Sequence, residues 1–195
     1  MVTSCIFAVD CTIQQFAKLI GRSVTFTKTL SYMGIVDWRL SGVSLFWSLR
    51  DYLCSYLPPW ERKIEIAAIV ERLKLPPLPR VQLENIKNCF ILNCYIKKAA
   101  FILATLKILT KLTGENFKAQ IAATSTYIET LRDWLIVEQW RLKKKFQTLP
   151  SNILLVLLAR YADCLSWWQV ADNTSYSLSH VKRLHRQGLF LLAQE

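Results

Sequence analysis

Leu165 to Gln194 read LSWWQVADNTSYSLSHVKRLHRQGLFLLAQ, and the fold turns on how that stretch is parsed. Ser166 stands where a helix N-cap belongs, with Trp167, Val170 and Ala171 recurring behind it at helical spacing. Asn173-Thr174-Ser175 interrupts the pattern, because short polar side chains compete for backbone hydrogen bonds and favour turns. Ser177 is the next cap and opens a helix, 178–193, whose apolar positions are Val181, Leu184, Leu189 and Leu192. Its outer face carries Ser179, His180, Lys182, Arg183 and Arg186. A short helix, a tight turn and a second helix with a basic, hydrogen-bonding face make a helix-turn-helix, the second helix shaped to enter a DNA major groove.

The same stretch carries a family likeness. Arg160-Tyr161, Leu165-Ser166-Trp167, Val170-Ala171, Tyr176-Ser177, Val181 and Arg183-Leu184-His185 follow one another in a fixed order. That order resembles the C-terminal helix-turn-helix of phage-encoded transcriptional regulators of the RinA and ArpU kind, which are similar to region 4 of bacterial sigma factors. The likeness is confined to the C-terminal third. Val170 replaces a usual Ile, and Gly188 stands where Ala is usual, at a cost of about 1 kcal/mol in helix propensity. The resemblance implies transcriptional regulation, with promoter DNA and RNA polymerase as partners.

Within this unit the expected contacts are specific. Lys182, Arg183 and Arg186 supply phosphate and guanine contacts, while Ser179 and His180, in the first turn, face base edges. Ser177 and the helix N-terminus hold a backbone phosphate, or Ser177 acts only as a cap. His185 is expected to pack on a support helix, Trp167 and Trp168 to form core and shelf, and Tyr176 to anchor the turn. The support helix opens at Ser151 or Asn152 and runs through Ile153, Leu154, Leu157, Leu158 and Tyr161, giving a three-helix domain over 149–195.

Working back along the chain, residues 116–146 read as a long helix. Ile121, Ile128, Leu135 and Leu142 recur every heptad, but Thr124, Glu138 and Lys145 break the seam. It pairs with a second long helical pattern, Val81 to Thr113, whose face is Ile86, Phe90, Cys94, Ile102, Leu106 and Leu109 and which a break near Lys97-Lys98 would divide. The two make a hairpin over 81–147, and the 116–146 seam is also the place for a homodimer. Leu75-Pro76-Pro77-Leu78-Pro79 is a stiff connector, since proline removes a donor and forbids helix.

The N-terminal domain, 1–75, is expected to be helical too. Trp60 to Leu73 is amphipathic, with Ile64, Ala67, Ala68, Val70 and Leu73 inward. Val43 to Leu57 is apolar all round and so a buried helix. Gly34 and Gly42 bracket a short hairpin or wing. Residues 12–33 offer a second, weaker helix-turn-helix: Thr12 and Ser23 as caps, Gly21 in the turn, Arg22 and Lys28 outward. Its polar Thr27 falls where an apolar residue is wanted, and the plain alternative is a helical hairpin. The sequence therefore predicts an all-α chain.

The net charge of +11 suits a polyanionic partner, although residues 1–80, 81–130 and 131–195 carry +4, +3 and +4, so no segment owns it. Six cysteines (Cys5, Cys11, Cys54, Cys89, Cys94, Cys164) include no Cys-x-x-Cys pair, and reduced thiols in a cytoplasmic protein are expected, with no metal and no cofactor. Glycines are dispersed and carboxylates unclustered, so no phosphate loop or metal-dependent active site is expected, and the chain is read as no enzyme. No signal peptide is evident, and lysines at 97, 98, 107 and 111 break the apolar runs that a membrane span needs. The reading is a sequence-specific, phage- or mobile-element-type regulator that binds double-stranded DNA. Its rivals are a DNA-binding packaging or replication initiation protein, a non-enzymatic helical protein-interaction module, and a peripheral membrane protein using residues 86–112.

Overall fold

The computed structural model describes residues 9–39, 41–81 and 85–194; Cys5 and positions 82–84 of the expected long helix lie outside them. The described chain is all-α apart from one small antiparallel sheet. Chain order is β1 (Asp10–Cys11), α1 (Ile13–Leu19), α2 (Val24–Tyr32), β2 (Trp38–Arg39), β3 (Gly42–Ser44), α3 (Leu45–Asp51) and α4 (Pro59–Arg72). Then follow α5 (Asn88–Thr113), α6 (Lys118–Lys145), α7 (Ser151–Leu157), α8 (Trp167–Thr174) and α9 (Leu178–Leu192). The chain divides into two compact units, residues 1–76 with 99–125 and residues 77–98 with 126–195, so α5 and α6 each contribute a part to both.

In the first unit, α1 and α2 are joined by a short turn and followed by the hairpin β2–β3. β3 is the central strand, pairing Cys11 with Val43 on one side and Trp38 with Val43 on the other. The 34–42 stretch is thus a hairpin, and it takes Val43 and Ser44 out of the helix expected to start there; α3 begins at Leu45 and closes in a π-helical turn, Tyr52–Tyr56. Pro58 and Pro59 end that run and at the same time begin α4, where a missing N–H costs nothing. The inward face of α4 is Ile66, Ile69 and Leu73, while Ile64 and Ala67 are exposed. The central run Ile66 to Val70 is apolar at five consecutive positions and so on every side of the helix, and the period alone does not choose the face. Arg62, bonded to the carbonyls of Cys54 and Leu57, helps hold the rotation observed. Phe16, Leu45, Leu49, Tyr52 and Ile69, with Ile102, Leu106 and Leu109 of α5, fill this core.

In the second unit the helix expected from Val81 starts only at Asn88, after a turn in which Asn85 Oδ1 accepts the Lys87 N–H. It then runs unbroken past Lys97-Lys98, because exposed lysines are good helix formers. Cys94 is exposed; Cys89 and Leu92 take the inward positions instead. By length and composition α5 could cross a membrane, yet it carries four lysines and its buried residues pack into protein cores.

Along α6 two of the three residues that seemed to break the seam, Thr124 and Glu138, are buried and satisfied, while Lys145 is half-buried at the helix end. Thr124 donates to the Gln120 carbonyl at 2.7 Å. Glu138 accepts from Asn88 at 3.1 Å and from Arg141 at 2.9 Å. Ile128, Leu131 and Leu142 are buried within the chain itself.

Candidate nucleic-acid interface

The site is built on α7, α8 and α9. Pro150, not Ser151 or Asn152, is the N-cap of α7, which continues as a π-helical turn, Leu158–Ala162. Cys164, at φ 59°, then turns the chain, and Ser166 caps α8. The cap is reciprocal: Ser166 N–H donates to Gln169 Oε1 at 2.9 Å, and Gln169 N–H donates back to Ser166 Oγ. α8 runs two residues further than the sequence suggested, because the Thr174 hydroxyl donates to the Val170 carbonyl at 2.7 Å, inside the helix. The turn proper is Ser175, left-handed at φ 55°, then Tyr176 and Ser177. Tyr176 packs against the domain core and against the His180 ring, and so does anchor the turn.

α9 has two opposite faces. Val181, Leu184 and Gly188 are buried, with Leu189 and Leu192 half-buried. Gly188 is the point of closest approach to α7: a Cβ there would lie 2.6 Å from Ile153 Cγ2 and 2.8 Å from Leu157 Cδ1. Its low helix propensity is therefore the cost of bringing two helices together, a reason the sequence alone did not reveal.

His185 also turns inward. Its Nε2 lies 2.9 Å from the Tyr161 hydroxyl, and the ring packs edge-on to Trp167. Burial, with Arg160 and Arg186 nearby, holds the imidazole below its ordinary pKa. Arg160, missed as a structural residue in the sequence, lies between the Phe90 and Trp167 rings, 4.6 Å from each, and donates to the Leu165 carbonyl. It fixes the entry to α8.

The outward face gathers the six residues singled out in the sequence. Ser177 caps α9 by accepting the His180 N–H at 3.3 Å, and it is exposed. Ser179, Lys182, Arg183 and Arg186 are exposed, and His180 is half-buried. Arg183 Nη2 donates to His180 Nδ1 at 3.1 Å, which requires that nitrogen to be unprotonated. Among the described residues no carboxylate pairs with Lys182, Arg183 or Arg186. No carboxylate occurs at all from Asn173 to Gln194. Trp168, expected in the core or on a shelf, is 73% exposed on α8.

Burial pushes the thiols of Cys11 and Cys89 up to about 12, so neither is an activated thiolate. Among the described residues no three His, Cys, Asp or Glu side chains come together as a metal site. No protein-family model matches the chain, and no curated protein and no solved structure matches it either.

Proposed function

We propose that the chain is a cytoplasmic, sequence-specific DNA-binding regulator of phage or mobile-element type, with α9 lying in the major groove. The observation that carries this reading is the two-faced α9. Its inner face is locked by Gly188, Val181 and Leu184, while its outer face offers a serine and three cations with no carboxylate partner among the described residues. A rigid helix presenting cations and hydroxyls suits a duplex, where charges meet phosphates and short polar groups meet base edges. The likeness of the motif to the RinA and ArpU regulators supports transcription as the process, with RNA polymerase as a further partner.

The test is fluorescence anisotropy with generic duplex DNA across a salt series. Lys182→Ala/Arg183→Ala/Arg186→Ala should weaken binding by about a hundredfold and flatten the dependence on salt by about one unit of slope per lost phosphate contact. Equal binding by the variant and the wild type would remove α9 from the interface.

One observation favours a second reading. Ile136, Val137 and Trp140 are large, exposed and close together on α6. An apolar group of that kind suits a protein contact, as in a helical interaction module or a homodimer through α6. Association through it would respond little to salt, which separates the two readings in one titration.

A further inference from the structure

The two helix-turn-helix segments of the chain are built on one template. Thr12 and Ser166 each cap a first helix and each exchange hydrogen bonds with a glutamine in the first turn, Gln15 and Gln169. Buried Ala17 and Ala171 follow, and their carbonyls accept the N–H of Arg22 at 2.9 Å and of Tyr176 at 3.1 Å. Gly21 at φ 64° and Ser175 at φ 55° make the turns, each donating its N–H over 3.2 Å, to the Lys18 and Asp172 carbonyls respectively. Ser23 and Ser177 cap the second helices through the N–H groups of Phe26 and His180. Thr27 and Val181, then Leu30 and Leu184, turn inward. The separation along the chain is the same for every one of these pairs.

That shared register states which side chains of α2 stand where the basic face of α9 stands. Thr25, Lys28, Thr29 and Tyr32 occupy the positions of Ser179, Lys182, Arg183 and Arg186. All four are exposed, Tyr32 to 89%. The charge pattern agrees: no carboxylate occurs from Cys11 to Val36, a run that holds Lys18, Arg22 and Lys28, all exposed. The hairpin β2–β3 follows α2 directly and exposes Trp38 and Arg39. Thr27, the residue that argued against this segment, is harmless, because its hydroxyl donates to the Ser23 carbonyl at 2.9 Å.

We propose that α1–α2 with its hairpin is a second duplex-DNA-binding surface of the chain. Arg22 and Lys28 meet phosphates, and Thr25, Thr29 and Tyr32 face base edges and sugars. Choosing these positions rests on the reading of α9; binding through α2 does not depend on it. The cations and the absence of carboxylates fit a polyanion, and a helix flanked by an exposed hairpin fits the groove and backbone of a duplex.

The experiment uses four intact chains and generic duplex DNA in a salt series. They are the wild type, Lys182→Ala/Arg183→Ala/Arg186→Ala, Lys28→Ala/Tyr32→Ala, and all five substitutions together. The α2 pair is expected to lose about tenfold in affinity and about one unit of salt slope in both backgrounds. A fifth chain, Lys28→Arg/Tyr32→Ala, should keep the wild-type slope, which a fold lost through Tyr32 would not allow. Unchanged binding by the α2 pair in both backgrounds overturns the inference. If the α9 triple binds like wild type while the α2 pair weakens, the α9 reading fails and the second surface stands.

Discussion

The helix-turn-helix α1–α2 and its counterpart α8–α9 share caps, turn and register, and they differ in what closes them. In the first, the turn residue is Gly21, and the Arg72 guanidinium fills the space a Cβ would take, donating to the Leu19 carbonyl at 3.1 Å. In the second the same place is held by Ser175, which accepts a left-handed backbone at some cost. Further on, Gly34 and Gly188 fall at equivalent positions. Gly34, at φ 74° with open space around it, lies just past the end of α2, whereas Gly188 sits inside α9 against Ile153 and Leu157. One glycine ends a helix and the other lets a longer helix pack. The template is thus local and the second role tertiary, so α9 runs for about four turns, Leu178–Leu192, where α2 ends at Tyr32.

Substitutions at these paired sites sharpen the contrast. Gly188→Ala should be the most damaging, at about 1–3 kcal/mol, since the gain in helix propensity is outweighed by overpacking on α7. A denaturant titration reads it, and a stabilised variant would show that α7 and α9 do not meet as described. Ser175→Gly should stabilise by up to about 1 kcal/mol by relieving the left-handed turn. A loss of stability there would mean that the serine side chain is used. Thr27→Val, which copies Val181, should change stability by less than about 0.5 kcal/mol, as the Ser23 carbonyl keeps the Thr27 N–H as a donor. A larger loss would place the hydroxyl in a wider network.

The gentlest effect is a pH dependence that only the second unit can show, because the first has no histidine. The pKa of His185 in the folded state is lowered from 6.5, so below that value the unfolded chain binds the extra proton first. The stability is complete above 6.5 and declines as the pH falls towards the lowered value. His185→Phe should remove that slope from thermal melts; an unchanged slope would assign it to another group.

Much of this was legible in the sequence, and the reason is chemical. Caps at Thr12, Ser23, Ser166 and Ser177 announce themselves because a short oxygen before an apolar period satisfies a free N–H. The outward placing of Ser179, Lys182, Arg183 and Arg186 followed from the period alone. What stayed hidden depends on partners distant in sequence. Gly188 looked like a defect until Ile153 and Leu157 were beside it, and Glu138 looked like a break in the seam until Asn88 and Arg141 satisfied it. The face of α4 was misread for the same cause, since its central run Ile66 to Val70 is apolar on every side and only the core selects Ile66 and Ile69. The second helix-turn-helix at 12–33 was legible from its caps and Gly21, but its residue-by-residue register with α8–α9 was masked because the apolar side chains differ, Phe16 against Val170 and Thr27 against Val181, while the hydrogen bonds are the same.

The central claim, that the outer faces of α9 and α2 meet duplex DNA, is tested most directly by mapping backbone amide shifts of the intact chain during titration with a generic duplex at low salt. The largest shifts are expected over Ser177–Arg186 and a second, smaller group over Ser23–Tyr32, both reversed by added salt. Shifts confined to the surface around Ile136, Val137 and Trp140, or none at saturating duplex, would contradict it.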